Sequence, residues 1–218
     1  MFNLTDDDLR QRIVGIGDGP ASFNAEMNGL GLRVVSVDPL YVLSVEDIAK
    51  QFFRVVDDII DQVRASPDDW TWCYHKSPAG LKANRIEALR KFAGDYENGQ
   101  HDGRYVRGEL PSLDFDNDSF DIALCSHFLL LYCDRYSYEF HRASVCEMLR
   151  IASEARIFPI LSLALERSPH LRLLVEEFNA RGFCVQIERV QYELQRGGNE
   201  MLRIKRVCDR QTEPTQRA

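Results

Sequence analysis

Cysteine pairs at metal-binding or redox spacing, runs of basic residues and long apolar segments are all missing from this 218-residue chain. Its six cysteines, Cys73, Cys125, Cys133, Cys146, Cys184 and Cys208, are scattered, and no two have the separation that lets thiolates share a zinc ion or a redox bond. They read as reduced thiols of a cytoplasmic protein, with no metal site expected. Acids outnumber bases, 34 to 27, for a formal net charge of −7. Without a concentrated basic face the chain is not expected to grip nucleic acid through its phosphates. The longest apolar stretch, around Phe128 to Tyr132, falls far short of the roughly 20 residues that a membrane-crossing helix needs. Met1 to Arg10 is acidic and polar, so no secretory signal is expected there.

What is present is an alternation of strand-like and helix-like segments, the pattern of a parallel sheet wrapped by crossover helices. Ile13 to Ile16 forms a first strand, and Phe23, Met27 and Leu30 recur at helical spacing before Gly31. A second strand, Arg33 to Val37, ends in Asp38-Pro39, where proline removes a ladder donor. Ser44 begins a helix to about Arg64, and a further helix runs from Leu81 to Tyr96. Between them lie Trp70, Trp72 and Tyr74, so 42–101 reads as a helical insertion, or lid, between strands two and three. Tyr105-Val106, Phe120 to Ser126 and Ala155 to Ile160 supply strands three to five, with helices from Tyr138 to Arg150 and from Leu171 to Arg181. The last two strands, Val185 to Val190 and Met201 to Val207, have no room for a crossover helix and must be antiparallel. The expectation is one α/β domain over 1–208: a Rossmann-like, seven-stranded, mostly parallel sheet with helices on both faces and an antiparallel last strand. A frayed, disordered tail is expected over 209–218.

Two features point to a ligand. Gly15, Gly17 and Gly19 crowd the turn from the first strand to the first helix, where a backbone free of Cβ atoms can approach a bound molecule beside a helix start. Asp38 closes the second strand about twenty residues later, where an acid can accept hydrogen bonds from both hydroxyls of a ribose. Each feature has a plain structural reading, a tight turn for the glycines and a pre-proline turn for the aspartate.

The order of motifs resembles the class I S-adenosylmethionine-dependent methyltransferases, over nearly the whole span from Ile13 to Ile204. Gly108-Glu109-Leu110-Pro111 is similar to that family's acid and turn after the third strand. Phe120-Asp121-Ile122-Ala123-Leu124-Cys125-Ser126-His127 resembles its fourth-strand motif. The strings G-D-G-P-A-S-F-N-A-E, C-S-H-F-L-L-L-Y and R-I-F-P are similar to an uncharacterised bacterial branch. The resemblance implies S-adenosylmethionine as cofactor. Gly15, Gly17, Asp18 and Gly19 would lie under its methionine part, Asp38, Pro39 and Leu40 at the ribose, Glu109 and Leu110 beside the adenine, and Cys125 and Ser126 near the transferable methyl. The family usually carries an acid where this chain has Gly15, and Asp18 is the candidate to replace it.

The expected reaction is direct displacement onto a small-molecule acceptor, with no membrane or nucleic-acid partner; the acceptor's identity and the oligomeric state are not encoded. His127 is the candidate for removing a proton from the acceptor, because histidine titrates near neutrality. Tyr132 and His170 are candidates for touching the acceptor, whereas His141 reads as a packing residue. Arg156 and Arg203 are expected to pair with surface acids. Two other classes compete: a non-catalytic cofactor-binding or scaffold protein of the same fold, and an NAD-dependent oxidoreductase. The second fits less well, since the loop reads G-x-G-x-G-P rather than G-x-G-x-x-G.

Overall fold

The computed structural model describes residues 1–206, so Val207, Cys208 and the expected tail at 209–218 lie outside the described residues. Seven strands form one sheet: β1 (Ile13–Ile16), β2 (Val34–Val37), β3 (Tyr105–Val106), β4 (Phe120–Ser126), β5 (Ala152–Phe158), β6 (Phe183–Arg189) and β7 (Glu200–Arg206). Their order is β3-β2-β1-β4-β5-β7-β6. The first five run parallel, and β7 is antiparallel to both neighbours. The doubly wound sheet with a reversed last strand is the architecture expected from the sequence.

A short acidic helix, α1 (Asp6–Leu9), precedes β1, and α2 (Phe23–Gly29) follows it. The insertion consists mainly of α3 (Val45–Ala65) and α4 (Pro78–His101), and α5 (Tyr138–Ile151) and α6 (His170–Ala180) complete the layers. Ser44, Ser77 and Ser137 each cap a helix by accepting a backbone N–H, which sets the starts of α3, α4 and α5. One sheet face packs Val14, Ile16, Ala123 and Ile157 against Val145 and Met148 of α5 and Leu174 of α6. The other packs Ile13, Ile122, Leu124 and Phe158 against Met27 of α2 and Phe2 of the amino-terminal segment.

Strand β5 begins at Ala152, three residues earlier than expected. Ser153-Glu154 is polar, yet Glu154 is buried, where Arg156 and Arg203 meet its carboxylate at 2.6 and 2.7 Å. Arg156 is itself 2% exposed, so it is a core residue rather than half of a surface pair.

Parallel neighbours diverge between β1 and β4, because the chain winds outward through β2 and β3 on one side and through β5 on the other. At such a reversal the carboxyl ends of the strands leave a crevice in which doubly wound proteins hold ligands.

Candidate functional site

The turn after β1 is fixed by its neighbour strand. Gly15 pairs in register with Ser36 of β2, and the N–H of Gly17 donates to Val37 O at 2.8 Å. Gly17 takes φ +71°, and a Cβ there would sit 3.2 Å from the Phe128 ring. The chain then folds back so that the Asp18 carboxylate lies over Gly15: a Cβ on residue 15 would be 2.0 Å from Asp18 Oδ2. Only glycine at 15 leaves that space for the aspartate.

A buried relay holds Asp18 in place. The Ser36 hydroxyl donates to Asp18 Oδ2 at 2.6 Å, and Asn24 Nδ2 donates to Ser36 Oγ, Val34 O and Arg104 O. Arg104 returns a bond to Asn24 Oδ1 at 2.7 Å and forks onto both oxygens of Asp95. Burial, opposed by the Ser36 bond and helped by the nearby Asp38 charge, pushes the Asp18 carboxyl up to about 6. Neither Asn24 nor Ser36 belongs to a recognisable ligand motif in the sequence. Their role arises from adjacency across β1, β2 and α2, and the one available signal was a lone polar residue within the V-V-S-V strand.

Asp38 points into the same turn. Its Oδ1 accepts from Leu40 N and its Oδ2 from Gly19 N, both at 2.8 Å, while the Tyr41 hydroxyl donates to Gly19 O at 2.7 Å. Asp38 thereby caps the single helical turn Pro39–Val42, in which Pro39 is exposed and Leu40 half-buried. Burial raises the pKa of Asp38, against the pull of the two backbone N–H groups. On the far side of β2, Gly108 abuts Val37, Leu110 is buried and Glu109 is exposed.

A cleft of about 550 Å³ opens above Gly15 and Asp18, bounded by Leu124 and Ser126 of β4, by Gln191 and by Met1 to Leu4. The amino-terminal segment is pinned over it by Arg156, which donates to Phe2 O at 2.8 Å and meets Asp8 at 3.1 Å. Phe2 sets its ring edge-on to Phe158, centroids 6.3 Å apart.

Next along β4, His127 adopts φ +53°, a left-handed conformation that costs a histidine energy and turns its ring back toward the strand end. Its Nδ1 lies 2.8 Å from Ser126 Oγ, and its N–H donates to Phe158 O at 2.6 Å. Burial first, then the Arg85 charge and the chain's amino terminus, push His127 down to about 4. The ring is therefore neutral at physiological pH, and the near-neutral titration expected of it from residue type is absent. His127 also walls a second, smaller chamber of about 130 Å³, shared with Arg85 of α4, Phe158 and Tyr192.

Of the other residues marked in the sequence, Cys125 is fully buried in the core, where burial pushes its thiol up to about 12. Tyr132 is half-buried, with the Arg135 guanidinium 5.0 Å above its ring. His170 opens α6, with its Nε2 3.2 Å from Tyr136 O and its ring 4.4 Å from that of His141; it lines neither the cleft nor the chamber. His141 is wholly buried between Ser137 O and Leu129 O, a packing residue tying α5 to the segment after β4. Among the described residues no cluster of three or more His, Cys, Asp or Glu side chains is set to hold a metal ion. No described helix is long and apolar enough to cross a membrane.

Fold and cleft together define an α/β domain of the Rossmann-like class with a ligand crevice at its topological switch point. The chain belongs to the same family as the uncharacterized protein MJ0045 of Methanocaldococcus jannaschii, to which it is 36% identical over 207 residues, 94% of this chain and 90% of that one. That relative is archaeal, so the restriction to a bacterial branch expected from the sequence is not supported. No protein-family model matches the chain. Among solved structures it is similar to magnesium protoporphyrin IX methyltransferase from Synechocystis with bound S-adenosylmethionine, at 12% identity and TM-score 0.48, covering 93% of this chain and 73% of that one. It is also similar to a S-adenosylmethionine-dependent methyltransferase from Methanosarcina mazei, at 12% identity and TM-score 0.48, covering 92% and 94%. A third likeness is to a possible histamine N-methyltransferase from Thermotoga maritima, at 14% identity and TM-score 0.43, covering 94% and 84%. These are distant likenesses.

Proposed function

We propose that this protein is a S-adenosylmethionine-dependent methyltransferase that acts on a small-molecule acceptor by direct displacement. The observation that carries the reading is the Asp18 carboxylate suspended over Gly15 at the switch-point cleft. Its Oδ2 is held by Ser36, and the carboxylate borders the cleft, an arrangement that suits the ammonium group of an amino-acid ligand. The cleft volume of about 550 Å³ lies within the ~300–1,000 Å³ typical of small-molecule sites.

When bound, S-adenosylmethionine supplies a methyl group on a sulfonium sulfur. Asp18 would hold its amino group, and Gly15 and Gly17 would allow close backbone approach. Asp38 uses one acceptor position on each oxygen for Gly19 and Leu40, leaving one on each for ribose hydroxyls. Leu40 and Leu110 would flank the adenine. Ser126 and His127 would stand where the acceptor meets the methyl. In the reaction the acceptor's nucleophilic atom bonds to the methyl carbon as the carbon–sulfur bond breaks and sulfur keeps the electron pair. A proton on the attacking atom passes to solvent. Alignment of this kind can supply roughly 7–11 kcal/mol of the barrier. The neutral His127 serves as a hydrogen-bonding wall, since a ring titrating at about 4 is a weak base.

Incubating the protein with S-adenosylmethionine labelled in its methyl group and a broad panel of small metabolites tests this reading. Label in an acceptor, lost in Asp18→Asn, supports it. Tight S-adenosylhomocysteine binding with no label transferred to any acceptor favours a non-transferring cofactor-binding protein instead.

A further inference from the structure

The chamber behind His127 has a composition of its own. Ile59 and Val63 of α3, Leu131, Phe158 and Leu194 give it an apolar lining, and the insertion closes one side. A single cation, Arg85 of α4, stands in this wall. Arg85 is exposed as a residue yet lines the chamber, which places it at the mouth. Enough of it is withdrawn from water for burial to lower its pKa, and the groups that offset this are the phenols of Tyr132 and Tyr192. Among the described residues it has no acidic partner, in contrast to Arg104, Arg150, Arg156 and Arg203, each of which meets a carboxylate within 3 Å. Its charge is felt at His127 and at His75, both of which it pushes toward the neutral form.

An arginine at the mouth of an apolar chamber, with no carboxylate partner among the described residues, is free to pair with a ligand anion. The guanidinium fork matches a carboxylate in two parallel hydrogen bonds, and the low local dielectric strengthens them. Tyr192 also lines the chamber; its hydroxyl is fixed 3.0 Å from His75 Nε2 and its ring packs edge-on against Phe158, centroids 6.0 Å apart. An apolar cavity of about 150 Å³ is known to admit benzene, so a chamber of about 130 Å³ takes one ring or a short branched chain. His127 borders the chamber, while Ser126, bonded to the His127 ring, borders the large cleft, so the two spaces share this dipeptide as their wall.

We infer that the acceptor is a small, largely apolar monocarboxylate, its carboxylate held by Arg85 at the mouth and its body against the apolar lining of Ile59, Val63, Leu131 and Leu194, with the far end, which carries the nucleophilic atom, toward Ser126 and His127. The inference rests on the methyltransferase reading for the word acceptor, and on the chamber alone for the ligand's chemistry.

The test uses sodium benzoate and its neutral isostere benzamide, titrated calorimetrically into the full chain with and without S-adenosylhomocysteine. Benzoate is expected to bind at least tenfold more tightly than benzamide. Arg85→Met should erase that preference and Arg85→Lys should keep part of it, with unchanged thermal melts and unchanged S-adenosylhomocysteine affinity in both. Equal affinities, no binding of either probe at millimolar concentration, or a preference that survives Arg85→Met would overturn the inference. Benzoate preference in a protein that ignores S-adenosylhomocysteine upholds the carboxylate chamber while removing the methyl-donor reading. S-adenosylhomocysteine binding without benzoate preference does the reverse.

Discussion

Asp18 occupies the space that a side chain on Gly15 would fill: its Oδ2 lies 2.0 Å from the Cβ that residue 15 lacks. Asp18, three residues further along the chain, folds back to the point that a side chain on residue 15 would reach, at the carboxyl end of the opening strand. The two positions are coupled, because a side chain at either one excludes the other.

That coupling is testable by exchange. Gly15→Ala should displace the Asp18 carboxylate, weakening S-adenosylhomocysteine binding at least tenfold and lowering the melting temperature. Gly15→Asp combined with Asp18→Gly should recover binding relative to Gly15→Asp alone. Titration calorimetry on the three variants checks this; a tolerated Gly15→Ala would show that the two positions are independent.

Acidity gives a second handle. The Asp18 carboxyl, pushed up to about 6 by burial, keeps its proton in the folded chain at pH values where the unfolded chain has lost it. Its contribution to stability is complete below the ordinary aspartate range and is lost as pH rises through about 6. Asp18→Asn should therefore be more stable than the wild type at pH 8, by on the order of 1–3 kcal/mol, and show little difference at pH 4. Binding runs the other way, because an ammonium group needs the ionised carboxylate. Wild-type affinity for S-adenosylhomocysteine should fall as pH drops below 6, and that of Asp18→Asn should be weak and flat. Thermal melts and titrations at several pH values read both trends.

The relay behind Asp18 makes a third case. Asn24 is 1% exposed and gives or receives hydrogen bonds at Val34, Ser36 and Arg104. Arg104 Nε is already a buried donor without a hydrogen-bond partner, so removing the Asn24 amide adds further unpaired groups to a network that holds one. Asn24→Ala should cost about 1–3 kcal/mol in denaturant unfolding, through buried groups left unpaired. It should also weaken ligand binding without touching the cleft. A fully stable variant would show that water replaces the amide.

The alternation of strands and helices along the chain and the antiparallel last pair were legible from hydrophobic patterning and connection length. Asp18 and Asp38 stand out in the sequence through their places in the glycine turn and at the end of β2; of the two, Asp18 borders the cleft. What local pattern did not carry is how side chains from distant segments meet. Asn24, Ser36 and Arg104 form one network from three elements, and Arg156 reaches back across more than 150 residues to hold Phe2 over the cleft. Arg85 carries no local signal of the chamber that it lines with Tyr192 and His127, because those residues come from distant segments. The near-neutral titration expected of His127 fails for a related reason: residue type fixes only the starting value, and burial lowers it to about 4.

The most direct measurement compares S-adenosylhomocysteine with 5′-methylthioadenosine, which keeps the adenosine and sulfur but lacks the amino-acid end, on wild type and Asp18→Asn at pH 7.5. Single-site binding of S-adenosylhomocysteine that weakens at least tenfold in Asp18→Asn, with methylthioadenosine affinity unchanged, is the expected result. Absence of any heat with either ligand at millimolar concentration, or equal weakening of both, would contradict the assignment of Asp18 and the cleft above Gly15 to the methyl donor.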